Sequence, residues 1–515
     1  MRNLFRLTRA GVTLARSGFF SFAEIDGLPL SARGPFRLTR WLEPRDLSSA
    51  ERGRRISEAL HGLGPSYIKL GQFLSTRPDI VGVEMADALG TLKDHLPPFP
   101  TKEAISIVQA SLGRPIDAVF KDFSEPVAAA SIAQVHKATL IGSNDHAPVA
   151  VKVLRPGVRR QFARDLQTFY AAARYIERAA PNVRRLRPVA IVDILRRSVQ
   201  LEMDLRLEAA AYSEMAENIR LETDFRLPAV RWELTRRDIL VTDWVEGTRL
   251  ADLEAIRAAG HDPKRIAASV VQTFLRHALH HGFFHADMHE GNLFIDAEGR
   301  LVAVDLGIMG RIGPKERRFL AEILHGFITR NYQHIAEVHL EAGYVPAVHS
   351  AEDFAQALRA IGEPIHGHRA SEISMAHLLG LLFEVTELFD MSTQPELVLL
   401  QKTMVVVEGV ARRLDPEFDM WNTAEPVVAD WMRQNLGIGA RLGQAGDAVS
   451  ALIRLASRLP ALAERAEQLA ADMQRSTAEE NVASGGAEPR RFGPWTLALT
   501  ASIVAVAALL ISVLR

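Results

Sequence analysis

A short segment beyond the middle of the chain carries residue types suited to phosphoryl transfer. It reads HADMHEGN from His285 to Asn292 and is followed by DLG from Asp305 to Gly307. Asp287 and Asn292 are five positions apart, and Asp305 comes thirteen positions after Asn292. This is the HxDxxxxN and DxG layout, with a short hairpin between its two parts, of sites that transfer a phosphoryl group from a nucleotide.

Each of these residues has an expected role. Asp305 is predicted to be the main Mg²⁺ ligand, because hard carboxylate oxygens suit this ion, and Asn292 to supply a second metal oxygen. Asp287 would face the attacking hydroxyl or water. Gly307 is expected to let the loop turn sharply. His289 is predicted to hydrogen-bond within the loop. One loop carboxylate alone would more simply cap a turn, so the prediction rests on both spacings together.

A lysine at the end of a strand is the expected cation for the α- and β-phosphates. Lys152 closes the strand-like sequence VAVK, and such a lysine needs a carboxylate on a following helix to hold it. Glu202, Asp204 and Glu208 are the candidates. A solvated helix face explains three acidic residues equally well.

An alanine-rich run precedes Lys152 where a kinase carries a glycine-rich loop. Alanine still permits close approach to phosphates but lacks ready access to positive φ, so this loop should be stiffer. The predicted ATP contacts are Ala128, Ala129, Ala130, Ser131, Ile132, Ala133, Gln134 and Val135.

The segment TDWVEG, which ends a third strand, stands where a kinase links its two lobes. Backbone groups near Asp243 and Val245 are expected to meet adenine. A strand end with Trp and Gly is equally a packing feature.

The elements that position these residues can be placed from periodicity. Strands are predicted at 137–141, 149–154 and 237–244, and a buried helix at 266–279 leads into the His285 loop. The predicted organisation has five regions: a helical extension at 1–120, a strand-rich lobe at 121–247, a helical lobe at 248–440, an amphipathic helix and flexible tether at 441–493, and a transmembrane helix at 494–514.

Composition narrows the function classes. The chain has 515 residues, enough for two or three domains, with 61 Lys and Arg against 62 Asp and Glu. This balance argues against nucleic acid as the main partner. The absence of cysteine excludes disulfides, thiolate zinc sites and cysteine nucleophiles.

The two ends of the chain suggest membrane association. Residues 1–20 combine arginines with scattered apolar residues, which favours an amphipathic helix over a transit peptide. Residues 494–514 contain no charge, and a helix of this length would be roughly 31 Å long, matching the ~30 Å hydrocarbon core. Arg490 and Arg491 before it favour a cytoplasmic main body.

Taken together, the motifs resemble those of the UbiB/AarF family of atypical protein-kinase-like proteins of ubiquinone biosynthesis. The resemblance runs from about residue 30 to 310 and rests on the KxGQ sequence at Lys69 to Gln72, the alanine-rich loop, VAVK, the acidic pair Glu202 and Asp204, and HADMHEGN with DLG. It differs from the usual family pattern in Met203 and Leu205, which should not alter the charges.

The resemblance implies a two-lobe, α+β protein-kinase-like fold that binds ATP and Mg²⁺ at the bacterial inner membrane. It implies that the KxGQ extension covers the face where a kinase docks its protein substrate. Lys69 and Gln72 would point toward the nucleotide, with Lys69 acting in catalysis beside Asp287 and Lys152. Glu202 and Asp204 would hold the extension, and Glu208 would pair with Lys152. The implied partners are a membrane lipid or quinone precursor and other ubiquinone-biosynthesis proteins. Pairing of two chains through the span stays open.

Three functions are compatible with these motifs. One is an ATPase whose hydrolysis aids the handling of a lipid quinone precursor. The second is a true protein or lipid kinase, which the presence of Asp287 keeps open and the alanine-rich loop and KxGQ segment disfavour. The third is a nucleotide-gated, lipid-binding scaffold for the biosynthetic complex.

Overall fold

The computed structural model of the chain describes residues 2–19, 48–75, 81, 83–90, 92, 96–142, 147–179, 187–367, 385, 388–391 and 395–436. Contacts divide the chain into two compact units, Met1–Trp431 and Met432–Arg515. The predicted tether and transmembrane helix, 441–514, lie outside the described residues. No helix in the described part is long and apolar enough to cross a membrane.

Helices and strands alternate along the chain in a mixed architecture. The helices are α1 Arg2–Ser17, α2 Ser49–Leu63, α3 Pro65–Ser75, α4 Val83–Gly90, α5 Thr101–Leu112, α6 Val158–Ala179, α7 Pro188–Glu202, α8 Leu205–Asn218, α9 Leu253–Ala258, α10 Pro263–Arg276, α11 Pro314–Ile328, α12 Tyr332–Glu341, α13 Ala351–Gly367, α14 Pro395–Leu414 and α15 Met420–Leu436. The strands are β1 Phe120–Lys121, β2 Pro126–Ala129, β3 Ala133–Leu140, β4 Pro148–Leu154, β5 Phe225–Arg226, β6 Ile239–Asp243, β7 Thr248–Arg249, β8 Phe283–His285, β9 Leu293–Ile295, β10 Leu301–Ala303 and β11 Met309–Arg311.

The N-terminal helices α2, α3 and α4 pack on one another, and α1 packs on α2 and α6. Gly71 of the KxGQ sequence lies where α3 meets its neighbours. A Cβ on Gly71 would lie 2.7 Å from Leu92 Cδ2 and 2.8 Å from Leu60 Cδ1, so a larger residue would require both leucines to move. Lys69 lies on the same helix as Gly71. The close packing at Gly71 therefore fixes the rotation of α3 and with it the direction of the Lys69 side chain.

A five-stranded antiparallel sheet forms the smaller lobe. Its order is β1-β3-β4-β6, with β2 also paired to β3. Val149, Val151 and Val153 alternate into the core, while Lys152 lies on the other face of β4. Val135 is the cross-strand partner of Lys152, so both side chains emerge on the same face.

Helix α5 packs on this sheet. Its Ala104 and Val108, together with Phe99, share one core with strand residues Val151 and Val241. The sequence-based boundary at residue 120 placed α5 in the helical extension. The structure places α5 in the sheet lobe, because its apolar face is buried against the strands.

The strand boundaries around the alanine-rich run also differ from the prediction. The run contains strand β2 and the beginning of β3. Strand β3 therefore begins at Ala133 and not at Lys137. Only residues 130–132 form the connecting turn. Small side chains fit an antiparallel strand here because Gln134 and His136, on the inner face, supply the buried volume.

The helical lobe carries two small sheets at the site. Helix α10 buries Ile266, Val270 and Phe274, as its spacing predicted, and continues as one π-helical turn, His277–His281. Gly282 ends the turn at φ 64°, where a Cβ would lie 2.5 Å from the Ile312 carbonyl oxygen. Strand β8 then pairs with β11, and β9 and β10 form an antiparallel hairpin.

Candidate functional site

Lys152, Glu208 and Asp305 form a close ionic group, the Lys152 triad. Lys152 Nζ lies 2.9 Å from both carboxylate oxygens of Glu208 and 2.9 Å from Oδ1 of Asp305. The three residues come from strand β4, helix α8 and the segment after β10. Of the three acidic candidates in the sequence, the structure therefore selects Glu208 as the partner of Lys152.

Helix α8 positions both Glu208 and a second group of the site. Asp204 is the N-cap of α8 and accepts a hydrogen bond from the Arg206 amide. Four residues after Glu208, on the same face, the hydroxyl oxygen of buried Tyr212 accepts a hydrogen bond of 2.8 Å from the Asp305 amide. One helix thus fixes the partner of Lys152 and the backbone of Asp305.

The triad holds two carboxylates and one ammonium group. Burial works against the protonated form of Lys152, but Asp305 and Glu208 outweigh it and raise the lysine pKa. Burial raises the pKa of Glu208 to about 7, although Lys152 acts in the opposite direction. Partial burial opposes the ionisation of Asp305, yet Lys152 outweighs it and lowers the pKa to about 2. With all three groups charged, the triad carries a net charge of −1 and favours a further cation.

The catalytic-type loop is organised by its own hydrogen bonds. The Asp287 amide donates to Nδ1 of buried His285 over 3.1 Å, and the Asn292 side-chain amide donates to the Asp287 carbonyl over 3.1 Å. His289 Nδ1 accepts from the Gly291 amide, which matches the loop role predicted for His289. Burial lowers the pKa of His285, so it remains the neutral acceptor. The Asp287 carboxylate is 43% exposed and faces outward.

The β9–β10 hairpin explains the spacing from Asn292 to Asp305. Leu293 pairs with Ala303, and the Val304 amide donates to the Asn292 carbonyl over 2.8 Å. The hairpin returns the chain to its starting point, so Asn292 and Asp305 emerge from adjacent strand ends.

The turn after the hairpin is made differently from the prediction. Asp305 itself adopts φ 62°, whereas Gly307 is not among the positive-φ glycines. The constraint on Gly307 is space, because a Cβ there would lie 3.1 Å from Asp305 Oδ1. The Gly307 amide donates to the same oxygen over 3.3 Å.

The residues present fit a magnesium–nucleotide complex. Asp305 is ionised, and the Asn292 side-chain nitrogen is engaged, which leaves its oxygen as the group available to a cation. In the described part of the chain, no group of three or more His, Asp or Glu could hold a metal ion alone. Mg²⁺ is commonly bound by one or two protein oxygens together with substrate phosphates, so a nucleotide would complete this site.

The KxGQ extension reaches the site through Lys69. Lys69 is 7% exposed, and its Nζ lies 2.7 Å from Glu202 Oε2. Its charge contributes to lowering the pKa of Asp305, after the larger effects of burial and Lys152. Gln72 lies three positions further along α3, on the same side as Lys69.

Asp204 differs from its predicted role of holding the extension. Its carboxylate lies 2.7 Å from Arg206 Nη2 and 3.9 Å from Arg237 Nε, and its oxygen caps helix α8. The hydrogen bond from Arg206 lowers the Asp204 pKa. The two acidic residues therefore have different roles. Glu202 binds the extension, and Asp204 caps the start of the helix that carries Glu208.

The alanine-rich loop exposes its first residues and buries its last. Ala128 is exposed and Ala129 and Ala130 are half-buried. The side chains of Ser131, Ile132, Ala133 and Gln134 are buried in the protein. The Gln134 amide group pairs with both backbone groups of Phe99, at 2.9 and 3.2 Å. These four residues could therefore contact a nucleotide only through their backbone. The Gln134 side chain, although Gln134 was a predicted ATP contact, binds Phe99 instead.

Arg155 fixes the turn of this loop and was not singled out from the sequence. Its guanidinium donates to the carbonyls of Ala130 and Pro97, both at 3.0 Å, and its amide donates to the Ile132 carbonyl over 2.7 Å. The stiffness expected from alanine is thus reinforced by a side chain.

At the predicted adenine segment, Asp243 is already bound to other protein groups, whereas Val245 is not bound through its amide in the described contacts. The Asp243 amide donates to the Ala229 carbonyl, and its carboxylate lies 2.6 Å from Arg231 Nη2. The amide of Trp244 donates to the Pro148 carbonyl. Asp243 therefore has a structural role through its amide and side chain, and the described contacts leave Val245 as the available hinge amide.

Comparisons with known proteins agree with these motifs. The family model of the ABC1 atypical kinase-like domain matches residues 91–339, and that of the UbiB helical domain matches residues 358–419. A probable protein kinase UbiB of Marinobacter nauticus is 38% identical over 443 residues, covering 85% of this chain and 80% of the relative. One of Pseudomonas putida strain W619 is 38% identical over 434 residues, covering 83% and 80%. Among solved structures, the complex of Rv3197 with erythromycin from Mycobacterium tuberculosis is similar with a TM-score of 0.49 and 24% identity, covering 73% of this chain and 95% of that one. The sheet lobe, the helical lobe and the matched regions together show that the chain belongs to the UbiB family of ABC1 atypical kinase-like proteins.

Proposed function

We propose that this protein binds Mg-ATP at the Lys152 triad and transfers the terminal phosphoryl group to water. Family membership implies a role in ubiquinone biosynthesis, and the hydrolysis would drive the handling of a lipid quinone precursor at the membrane. The observation that carries the proposal is the triad itself. One lysine bridges two carboxylates in a group that remains one positive charge short.

The charge balance fits a site that receives a cation together with a polyphosphate. A bound magnesium ion would supply electrostatic stabilisation of the transferred phosphoryl group. Asp305 and Asn292 are the residues that would hold it. Lys152, fixed by Glu208, would then contact the phosphates, because the ion competes with it for Asp305.

Water as the acceptor is favoured by the KxGQ extension. Lys69 is buried, pairs with Glu202, and is close enough for its charge to act on Asp305. An element that brings a buried cation to the metal ligand occupies space that a protein substrate would need. The loop clamped by Arg155 also limits the opening movement that docking of a large substrate would require.

The test is phosphate release by the purified full chain with Mg-ATP and anionic vesicles. We expect release that depends on Mg²⁺ and is lost in Asp305→Asn. Equal release by wild type and Asp305→Asn would refute the proposal, because the metal ligand would then be dispensable. Lys264→Met, which changes a lysine that is 71% exposed on α10, is the matched surface control.

A protein or lipid kinase is the second candidate, and the exposure of Asp287 favours it. Its carboxylate is 43% exposed and only loosely paired, with His289 Nε2 at 3.7 Å. A substrate hydroxyl could reach such a group. Stoichiometric transfer of labelled phosphate to a protein or lipid, lost in Asp287→Asn, would favour this function over hydrolysis.

A scaffold function and the membrane attachment are tested in cells. The predicted span at 494–514 would anchor the protein to the inner membrane, with its main body in the cytoplasm, and bring it to lipid and to other biosynthetic proteins. Quinone profiling of a deletion strain rescued by Lys69→Ala, Asp305→Asn or a chain truncated before residue 494 separates these roles. Rescue by Asp305→Asn with ATP binding retained would favour a nucleotide-gated scaffold over an ATPase.

A further inference from the structure

Helix α14 contacts the loop that carries Asp287. Thr403, fully buried, donates its hydroxyl to the Ala286 carbonyl over 3.1 Å and also lies 2.8 Å from the Leu399 carbonyl. The helix lies within the region matched by the UbiB helical domain and packs against α10 and β11. A segment outside the kinase-like region is therefore fixed directly beside Asp287.

Lys402 precedes Thr403 on the same helix. Its side chain is partly buried. Among the described residues, no carboxylate lies within ion-pairing distance of its ammonium group. The two other lysines of the site differ in this respect, because Lys152 pairs with Glu208 and Asp305, and Lys69 pairs with Glu202.

Two functional groups of the site, Asp287 and Lys69, act electrostatically on Lys402. Burial lowers the Lys402 pKa most, Asp287 acts to raise it, and Lys69 acts to lower it further. A lysine that has lost water without gaining an ion-pair partner is electrostatically prepared for an anion. The position beside Asp287 and Lys69 selects the kind of anion, because the terminal phosphate of a nucleotide must approach Asp287 for its transfer.

We propose that Lys402 contacts the terminal phosphate of bound ATP, so that helix α14 supplies a third lysine to the site. This inference rests on the proposed Mg-ATP function. The Lys402 ammonium group would act by charge, offsetting the negative charge of the terminal phosphate where Asp287 and Asp305 would otherwise repel it. The helical domain then has a direct part in the nucleotide site, beyond packing against the loop.

The test is the affinity for ATP and for ADP, each with Mg²⁺, measured by calorimetric titration of the full chain. In Lys402→Met we expect ATP binding to weaken about 10- to 100-fold, the range for loss of one charged hydrogen bond, while ADP binding changes less than about 2-fold. Lys402→Arg keeps the charge and should retain ATP affinity within about 3-fold. Lys264→Met, an exposed lysine, should bind both nucleotides like wild type.

A purely structural role for Lys402 predicts a different result. Loosening of α14 would displace the whole Asp287 loop and weaken ATP and ADP alike, without rescue by Arg. Equal weakening, or wild-type affinity for both nucleotides in Lys402→Met, therefore overturns the inference. Should the methionine variant fail to fold, Lys402→Gln provides the same comparison.

The proposed function and this inference fail in distinguishable ways. If wild type binds neither nucleotide, both proposals are wrong. If wild type binds Mg-ATP and releases phosphate while Lys402→Met keeps the ratio of ATP to ADP affinity, only the role of Lys402 is wrong.

Discussion

Two ionic groups lie close in sequence to helix α8, and they differ in how many protein groups surround their carboxylates. The Lys152 triad has two carboxylates and one cation. The second group, here the Glu222 cluster, contains Glu222, Asp224, Arg276, His277 and His281. In it, Glu222 lies 3.3 Å from Arg276 and 3.3 Å from His277, and Arg276 lies 2.7 Å from Asp224.

Glu222 has three basic side chains around its carboxylate, whereas the two carboxylates of the triad share one lysine. Burial opposes the ionisation of Glu222, but His277, His281 and Arg276 outweigh it and hold its pKa well below the usual range. In the triad, burial instead raises the pKa of Glu208. Buried carboxylates thus have several basic neighbours in one group and one shared lysine in the other. That sharing, together with the raised pKa of Glu208, distinguishes the candidate site.

The largest expected effect is that of Asp305→Asn in the triad, which should change phosphate release much more than the free energy of unfolding. Asp305→Asn should lower Mg-dependent phosphate release at least ~100-fold, because it removes the main metal ligand. Asparagine tolerates the positive φ of this position, and one competitor for Lys152 is lost, so the free energy of unfolding should fall by less than about 1 kcal/mol. Phosphate release and urea unfolding on the same preparation measure both. A variant that unfolds much more readily would mean that the triad is mainly structural.

The opposite pattern is expected in the Glu222 cluster. Glu222→Gln should lower the free energy of unfolding by about 2 kcal/mol, because Arg276 and His277 lose a buried anion. Phosphate release at a temperature well below the midpoint should stay within about 2-fold of wild type. Urea unfolding and the release assay provide the measurement. Loss of release with unchanged stability would contradict the distinction between the two groups.

The two groups should also give pH dependences of opposite sign. The Glu208 pKa is raised to about 7, so its stabilising contribution is complete below about pH 4.5 and is lost as the pH rises toward 7. The Glu222 pKa is lowered, so its contribution is present above about pH 4.5 and is lost as the pH falls. From pH 5 to 7, wild type should lose about 2 kcal/mol relative to Glu208→Gln. Relative to Glu222→Gln, wild type should lose stability as the pH falls below about 4.5.

Urea unfolding of the three proteins at several pH values measures these differences. Comparison with Glu208→Gln removes the contribution of buried histidines, because Glu208 contacts none of them in the described residues. Parallel curves for wild type and Glu208→Gln would show that Glu208 does not titrate in this range.

The smallest effect concerns a group that acts on the triad through the backbone. Tyr212→Phe removes the hydroxyl that accepts the Asp305 amide, so we expect a loss of about 1 kcal/mol in unfolding free energy and a few-fold weaker Mg²⁺ dependence. Magnesium titration of phosphate release tests the second effect. Tyr67→Phe is the control away from the triad. Tyr67 is a second tyrosine whose ring packs edge-on against another ring, that of Phe169.

Local patterns predicted the parts of the site that lie close together in sequence. Spacing and alternation, which depend on backbone geometry within a few residues, predicted the hairpin between Asn292 and Asp305, the buried helix before His285 and the strand that carries Lys152. The family resemblance added Glu208 as the partner of Lys152 and the pair Glu202 and Asp204 as the residues that hold the extension, of which the structure shows Glu202 at Lys69.

Other assignments required contacts between distant segments. Nothing near Arg155 or Tyr212 in the sequence indicates that one clamps the alanine-rich turn and the other holds the Asp305 amide. Asp204 looked equivalent to Glu202, and only the structure shows that helix α7 ends at Glu202 while Asp204 caps the start of α8, so that their partners differ. Turn geometry was also misassigned, because both Asp305 and Gly307 suit a tight turn and only the fold decides which adopts positive φ.

The sequence by itself determined the family, the two-lobe kinase-like organisation and the chemical types at the site, since these depend on residue identity and short spacing. The tertiary structure decided the charge balance of the Lys152 triad and the position of Lys402, which follows Asp305 by 97 positions. Net charge and desolvation at a site are sums over groups from separate segments, so no single segment contains them. That is the physical reason why the cation deficit and the unpaired lysine became visible only in the folded chain.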